Sequence, residues 1–288
     1  MLIPQVLLNG LVLGCLYACI AAGFSLVWGV LNVINLMHGS FIVLGSYFAW
    51  TAYNALGVDP WFTLIAAAPV FFAVGYAVQR GILNRVIAAP VLVTLTLTFG
   101  LDLILNNAMI VTFTADYRKL ILDPPLGVAE LGGLVLPWDR ALAMAFALVL
   151  TFVLYLILRR SRMGRGIVAV RLDRDAARLM GVNVPSTYAI AFGLGAAMAG
   201  CAGVLLAMIF PISPLTSTAY LGKAFVVCVL GGLGSVPGAV AGGLFLGIAE
   251  SVGALAFGPE HGMTLSFALL ILFLIFRPHG LLGKRGFE

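Results

Sequence analysis

Charged side chains are absent from the first 58 residues of this 288-residue chain, and Asp59 is the first Asp, Glu, Lys or Arg. Charged residues make up 9% of the whole sequence and hydrophobic residues 62%, whereas soluble globular domains carry about 25% charged residues. A chain this poor in charge lacks the residues for a water-exposed surface. The composition therefore excludes a soluble domain and predicts a protein embedded in a lipid bilayer.

The apolar residues fall into runs of the length that a membrane-crossing helix needs, about twenty residues. The seventh run is too long for one straight crossing and is interrupted by glycines. We therefore predict an all-α polytopic membrane protein with about eight transmembrane helices, some of them broken or re-entrant, in a single domain over 1–288. The eight runs are 5–29, 40–56, 61–79, 90–113, 140–158, 186–209, 223–257 and 263–276.

The basic residues mark one side of the membrane. Seven arginines fall within residues 159–178, and loops rich in Lys and Arg stay in the cytoplasm. We expect 159–184 to be a cytoplasmic loop and the C-terminus to lie on the same side. The net charge of +5 follows from this topology, so no nucleic-acid partner is predicted. Further basic residues expected on the cytoplasmic side are Arg80, Arg85, Arg277, Lys284 and Arg285.

Motifs for nucleotide, metal or nucleophilic chemistry are missing from the sequence. The stretch 280–285, Gly-Leu-Leu-Gly-Lys-Arg, has the wrong spacing for a phosphate-binding loop. Cys15, Cys19, Cys201 and Cys228 lie in apolar runs without the Cys-x-x-Cys spacing of metal or redox sites. We predict no metal, no cofactor and no enzymatic activity in this chain.

Small residues recur at every fourth position in three of the runs. Such ridges let helix backbones approach closely inside a membrane. We expect them to form tight helix–helix contacts and to carry no chemistry. The three series are Gly10, Gly14, Ala18 and Ala22; Gly195, Ala199 and Gly203; and Ala239, Gly243 and Gly247.

Two polar or glycine-rich segments, 32–40 and 231–238, interrupt hydrophobic stretches. Irregular backbone within a membrane is tolerated where protein or a water-filled cavity satisfies its polar groups. Paired breaks in corresponding halves are typical of transporters, so the two breaks favour an inverted repeat around a central pathway. The alternative is that each is an ordinary loop between two spans.

The run 90–113 carries a polar stripe. Thr94, Thr98, Asp102 and Asn106 follow one another at four-residue spacing and share one helix face. An Asp at the centre of a membrane helix costs about 2.5–3.5 kcal/mol. The stripe therefore faces a substrate path, or it forms hydrogen bonds to a neighbouring helix.

Glu250 and His38 also lie within or beside apolar runs. The sequence offers Glu250 no evident basic partner at membrane depth, because Lys223 is assigned to an outer loop; Glu250 lies near the outer interface or in a transport pathway. His38 binds substrate or a proton, or it caps backbone groups at the break. The residues considered for the substrate pathway are Asn35, His38, Gly39, Ser40, Thr94, Thr98, Asp102, Asn106 and Glu250.

Five stretches carry a resemblance to a known family. Residues 10–17, Gly-Leu-Val-Leu-Gly-Cys-Leu-Tyr, and 34–39, Ile-Asn-Leu-Met-His-Gly, form an opening signature, and 230–239 and 276–283 are further landmarks. Residues 175–181, Asp-Ala-Ala-Arg-Leu-Met-Gly, are similar to a coupling motif Glu-Ala-Ala-x-x-x-Gly. The chain thereby resembles permease subunits of bacterial ABC importers for branched-chain and other hydrophobic amino acids. Ser40, where relatives often place an acid, and Asp102 depart from the pattern.

The resemblance implies a five-part importer in the bacterial inner membrane: two related permeases, two cytoplasmic ATPases, and a periplasmic or lipid-tethered substrate-binding protein. Membrane lipid surrounds the permeases. Similar systems carry urea or short amides. Two other hypotheses remain open: a secondary transporter or channel for a small polar solute that works alone, and a scaffold whose basic loop anchors a soluble protein. The residues that the resemblance assigns to ATPase coupling are Arg174, Asp175, Ala176, Ala177, Arg178 and Gly181.

Overall fold

The computed structural model describes residues 2–87, 89–122, 127–131, 133–277 and 280–282. The described chain is a bundle of helices, with one short β-hairpin between the fourth and fifth. The helices are α1 (Leu2–Leu31), α2 (Met37–Leu56), α3 (Pro60–Gly81), α4 (Val91–Phe113), α5 (Trp138–Arg160), α6 (Arg162–Leu172), α7 (Arg174–Leu179), α8 (Val184–Ile209), α9 (Ser217–Gly231), α10 (Val236–Phe257) and α11 (Gly262–Phe276). The hairpin pairs β1 (Val128–Leu131) with β2 (Leu134–Pro137), and 3₁₀ turns occupy Leu83–Arg85, Pro214–Thr216 and Pro259–His261.

Among the described residues, seven helices are long and apolar enough to cross a membrane: α1, α3, α4, α5, α8, α9 and α10, with the adjoining 3₁₀ turns of α3 and α9 included. The shorter α11 is also apolar, and α2 is a 20-residue helix that lies largely inside the bundle. This confirms an all-α polytopic membrane protein with about eight crossing helices. Lys284 and Arg285, used above to orient the C-terminus, lie outside the described residues.

The predicted seventh run, 223–257, is two helices. Helix α9 ends at Gly231 and α10 begins at Val236, and between them Gly232 and Gly234 adopt φ angles of +103° and +77°. Only glycine enters this region of φ without strain, so the glycines that interrupt the run are the residues that allow the chain to reverse. The connection is therefore a tight turn between two helices.

Local capping sets several helix starts. The side chains of Asp59, Asn183 and Ser235 accept hydrogen bonds from backbone N–H groups two or three residues later, at 3.1 Å each, and so cap α3, α8 and α10. Each of these helices also has proline at its first or second position, where the missing N–H costs no hydrogen bond. The ends of the spans are thus encoded locally.

Helices α1 and α8 form the centre of the bundle. In their most apolar 18-residue windows, 89% of α1 and 83% of α8 is buried, against 11% for α4. Helix α1 packs against α10, α8, α5 and α9, and α8 packs against α3 and α2 as well. The uncharged N-terminal run is therefore an interior helix, whereas α4 leaves most of its apolar surface open to lipid or to a partner.

The predicted small-residue ladders lie at these closest contacts. A Cβ atom at Gly10 or Gly14 would stand 2.8 Å from the Cα of Ile248 or Leu244 on α10. A Cβ at Gly195 would lie 3.0 Å from the carbonyl oxygen of Gly23 on α1. Real Cβ atoms rarely or never approach this closely, so the glycines permit the contact. The expectation of tight packing is confirmed.

The two halves of the bundle have related packing. The long first helix of each half, α1 or α8, packs against the third helix of the other half, α10 or α3, and in each half the second helix packs against the fourth. This arrangement supports a repeat of α1–α4 in α8–α11. The break at 32–36 then corresponds to 210–216, because both precede the second helix of their half, rather than to 231–238.

The segment between α1 and α2 folds back into the bundle. Val33 and Asn35 are 4% and 1% exposed, and the imidazole Nε2 of His38, at the start of α2, lies 3.0 Å from the carbonyl oxygen of Ile20. Ile20 is about three turns before the end of α1. The irregular backbone predicted here is therefore buried in protein, as a membrane setting requires.

The connections gather at two ends of the bundle. At one end, which we call the basic end, Arg171 bonds the carbonyl of Gly234 and Asn84 bonds that of Pro185. At the opposite end, Gln5 bonds the backbone of Val135, and the backbone of Arg118 pairs with Ile212. The seven clustered arginines thus lie together at one end of the helices.

Candidate functional site

The basic loop, residues 159–184, is ordered into two short helices, α6 and α7. Helix α7 begins at an N-cap, Asp173, whose carboxylate accepts hydrogen bonds from the N–H groups of Asp175 and Ala176 at 2.9 Å each. An acidic N-cap also interacts favourably with the positive end of a helix. The predicted short helix in this loop is present, with a defined first residue.

Gly181 defines the other end of α7. It has φ +84°, its N–H donates to the carbonyl of Arg178, and the N–H of Val182 donates to the carbonyl of Ala177, both at 3.0 Å. These two bonds form a Schellman motif, which needs a residue in the left-handed conformation. Nothing lies within 4 Å of a Cβ built on Gly181, so backbone conformation alone favours glycine here.

The side chains of α7 divide into one anchored position and an exposed surface. Ala177 is 5% exposed and packs onto the bundle, whereas Leu179 and Met180 are 88% and 84% exposed. Arg174, Asp175, Ala176 and Arg178 are exposed as well. A capped helix that presents two large apolar side chains within a charged loop has the features of a protein-docking surface.

Helix α6 links this loop to the bundle. Its residues Gly164, Ile167 and Val170 are buried, and the guanidinium of Arg171 donates to the carbonyl of Gly234 at 2.5 Å. Burial lowers the pKa of Arg171 from its ordinary value, although an arginine remains charged at physiological pH. The loop is therefore hydrogen-bonded directly to the turn between α9 and α10.

The polar stripe of α4 faces α2 and the start of α9. Ser40 donates to a carboxylate oxygen of Asp102 at 2.5 Å, the amide of Asn106 donates to the hydroxyl of Ser217 at 2.7 Å, and the hydroxyl of Thr98 bonds the carbonyl of Ile34 at 3.0 Å. Thr94 bonds the carbonyl of Val91 in its own helix. The bonds of Asp102 and Asn106 join helices, as in the second interpretation, and both residues remain partly exposed.

The first turns of α2 and α9 meet beside this stripe. A Cβ on Gly39 would overlap the carbonyl of Ser217, so only glycine allows the two helix starts to touch. Ser40 and Ser217, at these two starts, are the partners of Asp102 and Asn106. The first turns of α2 and α9 therefore both supply hydrogen-bond partners to the polar stripe.

His38 and Asn35 are both buried, and of the two only the His38 side chain contacts backbone. His38 is fully buried, stacks edge-to-face with Phe24 at 5.4 Å, and uses Nε2 to contact the Ile20 carbonyl. The Asn35 backbone carbonyl accepts from the N–H of His38, while its side-chain amide atoms have no hydrogen-bond partner among the described groups. His38 therefore contacts a backbone carbonyl in the middle of α1 rather than backbone groups at the break.

Glu250 has a basic partner, which the sequence interpretation missed. Lys223 Nζ lies 2.8 Å from Glu250 Oε1 and 2.6 Å from the hydroxyl of Tyr17. The side chains of Lys223 and Glu250 are 18% and 14% exposed. Lys223 is not in an outer loop, because α9 already begins at Ser217 and places it inside a helix that packs against α1 and α10.

Sequence reasoning also missed Tyr17, Ser217 and the bond made by Arg171. The stretch 213–217 could have revealed that Ser217 and Lys223 belong to a helix. In it, Ser213 accepts a hydrogen bond from the N–H of Leu215, and Pro214 is the first residue of a 3₁₀ turn. A helix start at that point puts Lys223 nearly two turns inside α9. No sequence signal identifies Gly234 as the acceptor for Arg171, since that contact depends on tertiary packing.

The described residues contain no group of three or more His, Cys, Asp or Glu side chains that could hold a metal ion. The four cysteines are buried free thiols in the interior of the bundle. Fold and site together define a polytopic membrane protein with interhelical polar contacts and an ordered, exposed helix in a basic loop.

Comparison with known proteins gives the family. Residues 6–274 match the family model described as the branched-chain amino acid transport system / permease component. The chain is 36% identical to BraD, a high-affinity branched-chain amino acid transport system permease protein of Pseudomonas aeruginosa, over 97% of this chain and 95% of that protein. It is 35% identical to LivH, the permease protein of the corresponding Escherichia coli system, with the same coverage.

The chain therefore belongs to the permease component family of branched-chain amino acid transport systems. It is also 28% identical to LivM, a second permease protein of Salmonella typhimurium, over 93% of this chain and 68% of LivM. No solved structure matches the chain.

Proposed function

We propose that this chain is a permease subunit of an ABC importer that carries branched-chain or other hydrophobic amino acids into the cytoplasm. The observation that carries the proposal is the similarity along 97% of the chain to permease proteins named for branched-chain amino acid transport. ATP hydrolysis takes place in partner subunits. The substrate is delivered by a separate binding protein at the end opposite the basic loop.

The orientation follows from charge. The basic end carries the seven clustered arginines, so it faces the cytoplasm of a bacterial inner membrane. The basic loop, the turn between α9 and α10 and the end of α11 then lie inside, and the β-hairpin lies outside. This places α7 where a soluble ATPase reaches it.

The proposed coupling route runs from α7 into the bundle. An ATPase holds α7 through Leu179, Met180 and the exposed arginines, and α6 moves with it. The bond from Arg171 to Gly234 passes the displacement to α9, whose first turn touches α2 and α4. Alternating access results when these helix starts shift relative to α4.

The proposed substrate path follows the polar stripe of α4 along an interface with a second permease. Asp102 is partly exposed and forms no salt bridge among the described residues, so its carboxylate is available to an amino group. Most of the α4 surface is open. Relatives of two kinds, LivH and LivM, support a pair of different permeases.

The first test is purification of the tagged chain from native membranes in mild detergent, with mass spectrometry of the proteins that accompany it. We expect two ATPases and a second permease. A lone chain or homo-oligomer that transports in liposomes without ATP would refute the importer and support a secondary transporter.

The exposed apolar tip of α7 gives a sharper prediction. Met180→Ser should reduce the amount of ATPase that accompanies the permease by about tenfold, since truncating an apolar anchor at an interface costs about 1–2 kcal/mol. The measurement is quantitative mass spectrometry of the purified complex. Met163→Ser is the matched control, because Met163 is a 62% exposed methionine in the same loop and lies on α6. Equal recovery of ATPase with both variants would contradict α7 as the docking helix.

The variant Asp102→Asn distinguishes a role of Asp102 in substrate binding from a role in joining α4 to α2. Asparagine retains an oxygen that accepts from Ser40, but it has no charge for a substrate ammonium group. We expect the KM for uptake to rise at least about tenfold, because a charge-assisted hydrogen bond is worth about 1.5–3 kcal/mol. The control is Asn107→Asp, which adds a carboxylate at an exposed neighbouring position of α4. An unchanged KM in Asp102→Asn would mean that Asp102 serves only to join α4 to α2.

A further inference from the structure

A cavity of about 630 Å³ opens at the basic end of the bundle, between α1, α5, α6 and the turn that joins α9 to α10. This volume falls within the range of about 300–1,000 Å³ that small-molecule sites occupy. The cavity lining includes neither the residues of α7 nor the polar stripe of α4. Its role is therefore separate from the proposed docking surface and substrate path.

The lining combines an aliphatic wall with two cations. Arg159 and Arg171 lie at the cavity, and the described lining residues include no Asp or Glu. The guanidinium of Arg159 bonds the hydroxyl of Tyr155 at 2.7 Å and lies 5.8 Å from the centre of its ring, which orients it beside the opening. The wall is formed by Leu26, Val30, Leu158, Ile167, Val168 and Leu172.

The position of the cavity along the bundle restricts which class of ligand it can hold. The cavity lies where α5 ends at Arg160 and α10 begins at Val236, the level at which these spans leave the membrane. A soluble anion would leave the aliphatic wall uncovered, and a neutral lipid would place no negative charge beside the guanidinium of Arg159. An anionic amphiphile satisfies both parts of the lining, and basic pockets between membrane helices bind anionic lipid headgroups.

We propose that this cavity binds one anionic phospholipid, with its phosphate beside Arg159 and Arg171 and one acyl chain along the aliphatic wall. Because the bond from Arg171 to Gly234 crosses the same site, the bound lipid packs against the turn between α9 and α10. This site does not depend on the proposed substrate or on ATPase partners. It requires only that the basic end lies at a membrane surface.

Native mass spectrometry of the full-length chain, purified with its accompanying subunits, tests the proposal. Phosphatidylglycerol and phosphatidylcholine with identical acyl chains serve as probes. We expect the wild type to retain phosphatidylglycerol preferentially, and Arg159→Gln to retain about fivefold less of it, the effect of one cation near an anionic headgroup. Arg159→Lys should keep the preference, because the charge remains.

Arg160→Gln is the matched control, since Arg160 is the adjacent exposed arginine at the end of α5 and does not line the cavity. Wild-type retention by Arg160→Gln and loss by Arg159→Gln would support the site. Equal retention of the two lipids by the wild type would overturn it. So would an equal loss of phosphatidylglycerol in both variants, or complete displacement by soluble glycerol phosphate.

Discussion

Gly181→Val is expected to reduce ATP-driven amino acid uptake about tenfold or more while the chain reaches the membrane at its normal level. Gly181 has φ +84°, and a β-branched residue held there costs about 1–3 kcal/mol. The Schellman motif that ends α7 is lost, so Leu179 and Met180 change position on the docking surface. Uptake of radiolabelled leucine and immunoblots of membranes, with all partner subunits expressed, provide the measurement.

Gly181→Asn is the control for this prediction. Asparagine enters the left-handed region readily, and nothing lies within 4 Å of a Cβ at this position, so uptake should stay near the wild-type rate. If Gly181→Val transports normally, the coupling role of α7 is wrong. If valine and asparagine reduce uptake equally, the side chain rather than the backbone is responsible.

Lys223→Met is expected to lower the free energy of unfolding by about 3–5 kcal/mol, because removal of one partner leaves a largely buried carboxylate without its cation. Glu250 then faces an apolar side chain, while its second oxygen already has no partner among the described groups. The measurement is the thermal unfolding midpoint of the purified protein in detergent. Methionine is close to lysine in volume, so the change removes charge without creating a large cavity.

Two further variants test whether the loss of stability comes from the Lys223–Glu250 ion pair. The double variant Lys223→Met with Glu250→Gln should recover much of the lost stability, because the remaining buried group is neutral. Lys119→Met serves as the control, since Lys119 is exposed in the connection after α4 and its loss should leave the midpoint nearly unchanged. Equal midpoints for Lys223→Met and Lys119→Met would show that the ion pair contributes nothing to stability.

The sequence was sufficient for the class of protein because charge and hydropathy act over whole segments. Fifty-eight residues without a charge have few alternatives to membrane burial, and the regular ladders of small residues mark real close contacts such as Gly14 on α10. The end of α7 was also predictable, since a glycine after a short helix-forming stretch commonly forms a C-cap. These features depend on local or periodic properties.

Contacts between distant segments could not be predicted in this way. Ser40 and Asp102 were each recognised as departures from the family pattern, yet their direct hydrogen bond depends on how α4 packs against α2. Lys223 was assigned to a loop because hydropathy alone does not define where α9 begins. Once that helix starts at Ser217, the lysine is inside the bundle and its pairing with Glu250 follows.

The central position of α1 and α2 has a consequence for biogenesis. A ribosome delivers these helices to the membrane first, but their main packing partners are α8 and α10, which are synthesised after the basic loop. Until then, the folded-back segment before α2 and its buried Asn35 lack the cover of the C-terminal half, although His38 already contacts the Ile20 carbonyl and the Phe24 ring of α1. The N-terminal helices therefore reach their final packing only after the C-terminal half has been synthesised.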